Sequence, residues 1–512
     1  MKTETAVRRF FRPDLVAAAG SGLLVALAFP RPSLYPLAWI GFAPLLVSGS
    51  RRPFRAGMLA GTVFFGLVLY WLNIVMTTYG RLALPLALAA WLLLSVYLAL
   101  FWAVPFWGAL RLRAVCRFPL TLVFPVFWVG CEYLRGWLLT GFPWALLGYS
   151  QHPFSLVLQT ADLFGVYGVS FLVALVNALL AEIVLGRKDG HPLPVRSLLA
   201  VGCLLAAALG YGAWRLDTPA ASPQQGFTVA LAQGNIDQAQ KWDARFLYET
   251  LDIYRRLSRQ ASRAGAELTV WPESATPFYF QEPGRPRSLV VGAARELGGF
   301  LLFGAPAYER EGDRVRFYNS AYLLNAAGEV LGRSDKIHLV PFGEYVPLKW
   351  LLPFVDKLVA GIGDFSSGRV MPLKMNGQAL GVLVCYEAIF PDIARSYVRR
   401  GSDLLVNITN DAWFGRSSAP WQHLEMAAFR AVEQRVWLVR AANTGVSALI
   451  SPTGKVVSHS RLFEPALVVG RVVPGAGPSL YRRIGDVLPF FCLLTAAGWL
   501  WILWRRSSGR AG

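Results

Sequence analysis

The sequence predicts two unlike parts in one chain: a multi-span α-helical membrane domain of about eight transmembrane helices, and a water-facing α/β domain inserted before the last of them. Three observations predict this. Long apolar runs fill residues 1–216 and 479–512, whereas charges recur throughout 217–478. Hydrophobic residues make up 54% of the 512 and charged residues only 16%, too apolar a balance for an ordinary water-soluble chain. The net charge divides at the same boundaries: of +19, residues 217–478 carry +4 and the remainder +15. That excess lies where Lys and Arg set membrane orientation and meet anionic lipid. A nucleic-acid partner would need the basic face on the water-facing domain, so that class is excluded.

A spanning helix needs roughly 20 mostly apolar residues. Such runs fall near 14–30, 34–50, 56–78, 82–109, 119–140, 163–186, 196–214 and 486–504. The segment 141–160, with Pro143, Trp144, Gln151, His152 and Pro153, reads as a loop skimming the interface. Basic residues alternate between loops. Arg8, Arg9 and Arg12 precede the first run, and Arg51, Arg52 and Arg55 follow the second. Arg111, Arg113 and Arg117 follow the fourth, Arg187, Lys188 and Arg196 the sixth, and Arg505, Arg506 and Arg510 the last. The positive-inside rule then puts both termini in the cytoplasm and residues 217–478 outside it. Arg482 and Arg483 run against the rule, which is weak beside a large domain. The basic start and Ala26-Leu27-Ala28 mimic a signal peptide, but the runs that follow favour an uncleaved first helix. Asn73, Glu132, Arg135, Asn177 and Glu182 are the polar residues within the runs. They read as structural, with Glu132 and Arg135 pairing on one helix face.

From residue 227 onward, short apolar runs alternate with helical stretches. Strands are expected at 227–233, 268–271, 300–304, 320–324, 379–384, 404–408, 446–450 and 467–472, and helices at 244–263, 287–297, 392–400 and 422–435. Alternation of this kind indicates a layered α/β fold. Of five cysteines, Cys116, Cys131, Cys203 and Cys492 lie in or beside apolar runs, and Cys385 is alone in the water-facing domain. A thiol without a disulfide partner there is a candidate nucleophile, the plain alternative being a buried structural cysteine. The five histidines are scattered, so no zinc site is expected.

Cys385 ends the apolar run Gly381-Val382-Leu383-Val384 and is followed by Tyr386-Glu387. Two further stretches change its meaning: Trp271-Pro272-Glu273-Ser274, and Asp335-Lys336-Ile337-His338-Leu339-Val340-Pro341-Phe342-Gly343-Glu344. A carboxylate in reach of a thiol can take its proton, and an ammonium can favour the thiolate and then an oxyanion. Without the cysteine, Glu273 and Lys336 would read as an ordinary ion pair.

In that order the three motifs resemble the nitrilase, or carbon–nitrogen hydrolase, superfamily. With the multi-span frame, Pro341-Phe342-Gly343-Glu344-Tyr345-Val346-Pro347, and Gln233-Gly234-Asn235-Ile236 followed by Lys241-Trp242, the whole chain resembles the apolipoprotein N-acyltransferase family. The resemblance implies an αββα sandwich and a triad of Glu273 as general base, Lys336 as oxyanion stabiliser and Cys385 as nucleophile. It implies supporting roles for Glu344, Tyr386 and Glu387, with Glu344 orienting Lys336 and Glu387 bracing the active-site strand. It implies a phospholipid acyl donor, a thioester on Cys385, and transfer to the α-amino group of a diacylglyceryl-modified lipoprotein cysteine, with no cofactor. It places the enzyme in a bacterial inner membrane with its catalytic domain in the periplasm.

Both substrates are lipids, so the site must open towards lipid. Residues 348–365 are apolar around Lys349, Asp356, Lys357 and Asp364 and read as a lid or as core; Trp350, Leu351 and Phe354 are its substrate-binding candidates, with Trp242. Phe278-Tyr279-Phe280 and Trp413-Phe414 are further aromatic candidates, read more readily as core. Two rivals remain at this stage: a membrane-anchored amidase that passes its acyl group to water, and a non-enzymatic transporter or binding protein.

Overall fold

A computed structural model describes residues 13–48, 52–218, 225–345 and 365–508. They divide into two compact units. The first comprises Met1–Thr77, Ala83–Asp217 and Ile484–Gly512; the second comprises Thr78–Leu82 and Thr218–Arg483.

The first unit is all helical. Its main helices are α1 (Pro13–Leu27), α2 (Pro53–Val68), α3 (Leu84–Cys116), α4 (Leu120–Arg135), α5 (Ala161–Lys188) and α6 (Val195–Asp217), followed by the final helix Val487–Ser508. Packing is close where residues are small. A Cβ on Gly57 or Gly61 of α2 would come within 2.8 Å of the backbone of Ala103 or Ala99 on α3. Small residues four apart let apolar helices approach to backbone contact, which makes dispersion effective where no water drives association.

Among the described residues, four helices are long and apolar enough to cross a membrane: Leu84–Cys116, Ala161–Lys188, Val195–Asp217 and Val487–Arg506. A fifth arises if Pro53–Val68 and Leu72–Tyr79, bent by 59° at their break, count as one. The expected runs at 56–78, 82–109, 163–186, 196–214 and 486–504 are these helices; of the expectation of about eight spans, the other three runs form shorter or broken apolar helices. The run at 14–30 forms only 15 helical residues, the run at 34–50 breaks into Tyr35–Trp39 and Ala43–Val47, and the run at 119–140 stops at Arg135. At 1.5 Å per residue, 16 residues rise about 24 Å, short of a hydrocarbon core of about 30 Å. Apolar composition continues through these breaks, but helix geometry does not.

Residues 141–160 also differ from expectation. They fold into the unit as the short helical turns Leu147–Gln151 and Ser155–Leu158, with Trp144 fully buried. Buried backbone needs partners, and Glu132 and Arg135 supply them in addition to any attraction for each other. Arg135 donates to the carbonyls of Phe142 and Trp144, and Glu132 accepts from the Leu147 N–H at 2.7 Å. Asn177 does the same for residues 38–43, accepting from Phe42 and donating to Ala38.

The second unit is built from two six-stranded sheets. One runs β12-β1-β2-β3-β4-β5, the other β11-β10-β9-β8-β7-β6. The strands are β1 (Phe227–Gln233), β2 (Leu268–Val270), β3 (Phe300–Glu311), β4 (Arg314–Leu324), β5 (Val330–Asp335), β6 (Leu373–Met375), β7 (Gln378–Val384), β8 (Leu404–Thr409), β9 (Trp437–Ala442), β10 (Ala448–Ile450), β11 (Val456–His459) and β12 (Ala466–Val472). β1, β2 and β3 are parallel, as are β7, β8 and β9. Side-chain alternation sorts residues between two cores. Val229, Leu231, Val270 and Leu302 meet Val382, Val384, Leu404 and Val406 between the sheets. Ala230, Ala232 and Trp271 pack outward on the helices α7 (Leu247–Arg263) and α8 (Arg285–Leu297). Helices α9 (Pro391–Arg399) and α10 (Ala419–Gln434) pack on the second sheet. The layers are helix, sheet, sheet, helix.

Every expected strand is present, and four were not expected. β6 is only three residues long, and β5 and β11 are half-exposed. β9 carries Arg440, whose charge disguises a buried strand. The expected strands at 300–304 and 320–324 are the buried ends of a longer hairpin with charged, exposed outer residues.

Gly304 of β3 passes against the turn after β2. A Cβ there would lie 2.5 Å from the Ser274 nitrogen and 2.7 Å from the Glu273 Cα. Gly304→Ala is expected to cost about 1–3 kcal/mol and to displace Glu273. A lowered melting midpoint of the purified protein together with reduced activity would show it; an unchanged midpoint would mean the turn can yield.

Candidate active site

The sequence motifs converge where the strands end. Glu273 follows β2, Lys336 follows β5 and Cys385 follows β7, so the first sheet supplies the two charged groups and the second the thiol. Ends of strands hold side chains rigidly at a sheet rim, the usual place for chemistry in α/β folds.

Lys336 is fully buried, with its Nζ 2.9 Å from Glu344 Oε1 and 3.7 Å from Glu273 Oε1. Burial alone would lower its pKa, but Glu344, Glu273 and the Cys385 position outweigh it and hold Lys336 above the usual lysine range. It is therefore an ammonium at every working pH. Both carboxylates are fixed. Asn319 Nδ2 bridges them, 2.8 Å from Glu273 Oε1 and 2.9 Å from Glu344 Oε1. The Asn410 N–H holds the second Glu273 oxygen at 3.0 Å, and the Val340 N–H holds the second Glu344 oxygen at 2.8 Å.

Cys385 stands in a left-handed conformation, φ +54°, which costs a non-glycine residue about 1–2 kcal/mol and must be held by its surroundings. Three groups hold it. Glu387 accepts from the N–H groups of Val384, Ile337 and His338, tying the nucleophile turn to the lysine loop. Asn407 Nδ2 donates to the Leu383 carbonyl at 2.8 Å. His423 Nε2 donates to the carbonyl of Cys385 itself at 3.1 Å. Burial and the neighbouring Arg440 lower the His423 pKa, so the ring is neutral, and its Nδ1 accepts from Arg440 Nη2 at 3.0 Å. Arg440 also binds Asn407 and, at 2.6 Å, Asp411 Oδ2. Asp411 Oδ1 lies 3.1 Å from the same histidine nitrogen and receives the Thr409 hydroxyl at 3.0 Å. Burial alone would raise the Asp411 pKa; the Arg440 guanidinium outweighs it and holds the carboxyl below the usual range.

The thiol itself is pushed up to about 12, by burial first and then by Glu273, against the pull of Lys336. In the resting site it is a neutral S–H. Glu387 is raised to about 7 by burial, against its three N–H bonds. The chemistry available is nucleophilic attack by a sulfur deprotonated as it reacts, with a permanent ammonium beside it for an oxyanion.

Of the residues singled out in the sequence, Glu273, Lys336, Cys385, Glu344 and Glu387 come together. Tyr386 packs instead on Phe390 and His338, with ring centroids 5.2 and 5.9 Å away. Trp242 is exposed, and Trp350, Leu351 and Phe354 lie outside the described residues, as does nearly all of 348–365. Phe280 is core, whereas Trp413 is partly exposed against Tyr79. Sequence reasoning missed Asn319, Asn410, Asn407, Asp411, His423 and Arg440. One signal was readable: Asn407, Thr409, Asn410 and Asp411 crowd the end of the apolar run at 404–408, where polar residues have no structural reason to gather.

The second unit is a carbon–nitrogen hydrolase domain: that family's profile matches residues 228–476. The profile of the apolipoprotein N-acyltransferase N-terminal domain matches residues 21–179. An apolipoprotein N-acyltransferase of Geobacter metallireducens is 50% identical over 505 residues, covering 97% of this chain and 96% of its own. One of Azotobacter vinelandii is 37% identical, covering 98% and 96%. The chain belongs to the apolipoprotein N-acyltransferase family and is an enzyme of acyl transfer to nitrogen.

Breaking the buried Arg440–Asp411 pair from one side leaves an uncompensated charge. Arg440→Met is expected to cost about 3–5 kcal/mol, and adding Asp411→Asn to restore part of it. Melting midpoints of the two variants check this; a double variant no better than the single would show the pair is not what holds the turn.

Proposed function

We propose that the chain moves a fatty acyl group from a phospholipid to the free α-amino group of a diacylglyceryl-modified lipoprotein cysteine, by way of a thioester on Cys385. The observation that carries this reading is a neutral, partly buried thiol beside an ammonium held between two carboxylates, in a chain of this family. Glu273 takes the Cys385 proton as the sulfur attacks the ester carbonyl carbon. The carbonyl π pair moves onto oxygen, where Lys336 stabilises it. Collapse breaks the ester C–O bond, and the departing glyceryl oxygen takes the proton from Glu273, leaving a lysophospholipid and a thioester. The acceptor amine then attacks the thioester carbonyl and gives its proton to Glu273. The C–S bond breaks, an amide is formed, and the sulfur recovers its proton. A thioester suits this order because it reacts readily with amines and persists if water is kept out.

In this reading Glu344 fixes Lys336 and Glu387 fixes the nucleophile turn. Trp242, exposed just after Gln238–Lys241, offers an acyl chain an apolar surface. The placement of Lys and Arg supports a bacterial inner-membrane protein with cytoplasmic termini and a periplasmic catalytic unit. It is equally compatible with more crossings than the four unbroken helices provide, through short or bent segments.

Intact mass spectrometry of the purified protein, incubated with phospholipid in detergent beside Cys385→Ser, tests the proposal. A fatty-acyl increment is expected on the native chain alone, discharged by a diacylated lipopeptide amine. Glu273→Gln and Lys336→Met should each slow its appearance at least about 100-fold. Discharge by water with no preference for the amine would make the chain a hydrolase. No increment from folded protein would sink the acyl-enzyme route.

A further inference from the structure

Among the described residues, the mechanism leaves a buried cation beside Glu273 unused. Lys241 ends the short helical turn Gln238–Lys241 and is 3% exposed. Its Nζ donates to the backbone carbonyl of Glu273 at 2.9 Å, not to a carboxylate. The turn is fixed in place. Asp237 caps it by accepting from the Ala239 N–H, and Gln238 Oε1 accepts from Asn410 Nδ2 at 2.6 Å. Asn443 donates to the Ile236 carbonyl at 2.8 Å and to Asn410 Oδ1 at 3.1 Å. Asn410 is the residue whose N–H holds Glu273 Oε2. One connected set of bonds thus places Lys241 and the proposed base together.

We propose that Lys241 is a second cation of the active site, a positioning residue that holds the Glu273 turn and balances the negative charge the reaction creates there. The argument rests on the mechanism proposed above and on a count of charges. Glu273 and Glu344 share one ammonium, Lys336, which leaves the resting site one negative charge in excess before any chemistry. The first step adds negative charge on sulfur and then on the carbonyl oxygen. In a dry site that excess is expensive. Lys241 cancels it from behind Glu273, and because it binds the carbonyl, both carboxylate oxygens stay available for proton transfer. The cost of burying an ammonium without a carboxylate of its own is difficult to explain by structure alone, since an apolar side chain would fill the space.

Lys241 is also the charge most easily lost. Burial lowers it to about 8, against the pull of the two groups that face it, Glu273 and Cys385. Below that value Lys241 offsets the excess negative charge beside Glu273, and above it that charge returns. Lys336 and Cys385 both titrate higher, and Glu387, near 7, lies on the acid side. An alkaline loss of acylation near pH 8 would therefore belong to Lys241.

The test is the acylation half-reaction alone, followed by intact mass from about pH 6 to 10 with phosphatidylethanolamine as donor and no amine acceptor. Lys241→Gln keeps a donor for the Glu273 carbonyl without the charge; Lys241→Arg keeps the charge. The native rate is expected to fall above pH 8. Lys241→Gln should acylate at least about ten-fold more slowly, chiefly in kcat, and lose the alkaline fall. Lys241→Arg should retain more activity and move the fall to higher pH. A Lys241→Gln protein within two-fold of native, or one that is slow yet keeps the native pH profile, would overturn the inference and leave Lys241 a structural residue. Native protein that never acquires an acyl group would instead bring down the mechanism beneath it, which is a separate result.

Discussion

The ion pairing of Lys336 with Glu344 and Glu273 is the constraint on which the site depends. A fully buried ammonium persists only with its compensation in place, because the desolvation cost of one charge is several kcal/mol and returns in full when a partner is removed. Here the compensation comes from two carboxylates that Asn319 ties together. The result is a lysine that cannot act as a base and a carboxylate, Glu273, that cannot wander. The usual objection to buried ion pairs is that apolar residues would be as stable. It does not apply where the charges must meet a reacting group.

The two-sheet architecture follows from the same requirement. Glu273 and Lys336 end strands of one sheet, and Cys385 ends a strand of the other. The thiol meets its base only if the sheets pack in register, through Val229, Leu231 and Val270 against Val382, Val384 and Val406. A left-handed turn at Cys385 then lifts the sulfur out of the strand, and the strain is carried by Glu387, Asn407 and His423. Arg440 and Asp411 stand behind them as a second buried ion pair. The site thus has two ionic centres in depth. One faces the substrate, and the other holds the backbone that presents the nucleophile.

How much of this was legible in the sequence depended on whether a feature is local. An apolar run ending in a single polar residue marks a strand end, so Cys385 and Glu273 were readable. Three such motifs in order were enough to suggest the sandwich. Asn319 was not readable, because its meaning lies in bridging two acids 46 and 25 positions away. Arg440 disguises its strand: a charge inside the short apolar run Trp437–Ala442 argues against a strand unless its partners Asn407 and Asp411, on and just after the neighbouring strand, are known. The helical unit shows a different limit. Hydropathy measures composition over a window, whereas a continuous helix also needs unbroken backbone geometry. Tyr35–Trp39 and Ala43–Val47 satisfy the first condition and not the second.

The acid–base task itself limits how the charges can be arranged. In the proposed mechanism the same carboxylate accepts a proton from sulfur, returns it to an alcohol, and accepts another from an amine, so it must be oriented without being sequestered. Glu273 is held mainly by neutral donors. Its nearest ammonium, at 3.7 Å, is engaged more closely by Glu344, and its own oxygens are held by an amide side chain and a backbone N–H, neutral donors that orient it. Glu344 therefore acts from a distance: by drawing Lys336 to itself at 2.9 Å, it leaves the Glu273 oxygens to neutral donors.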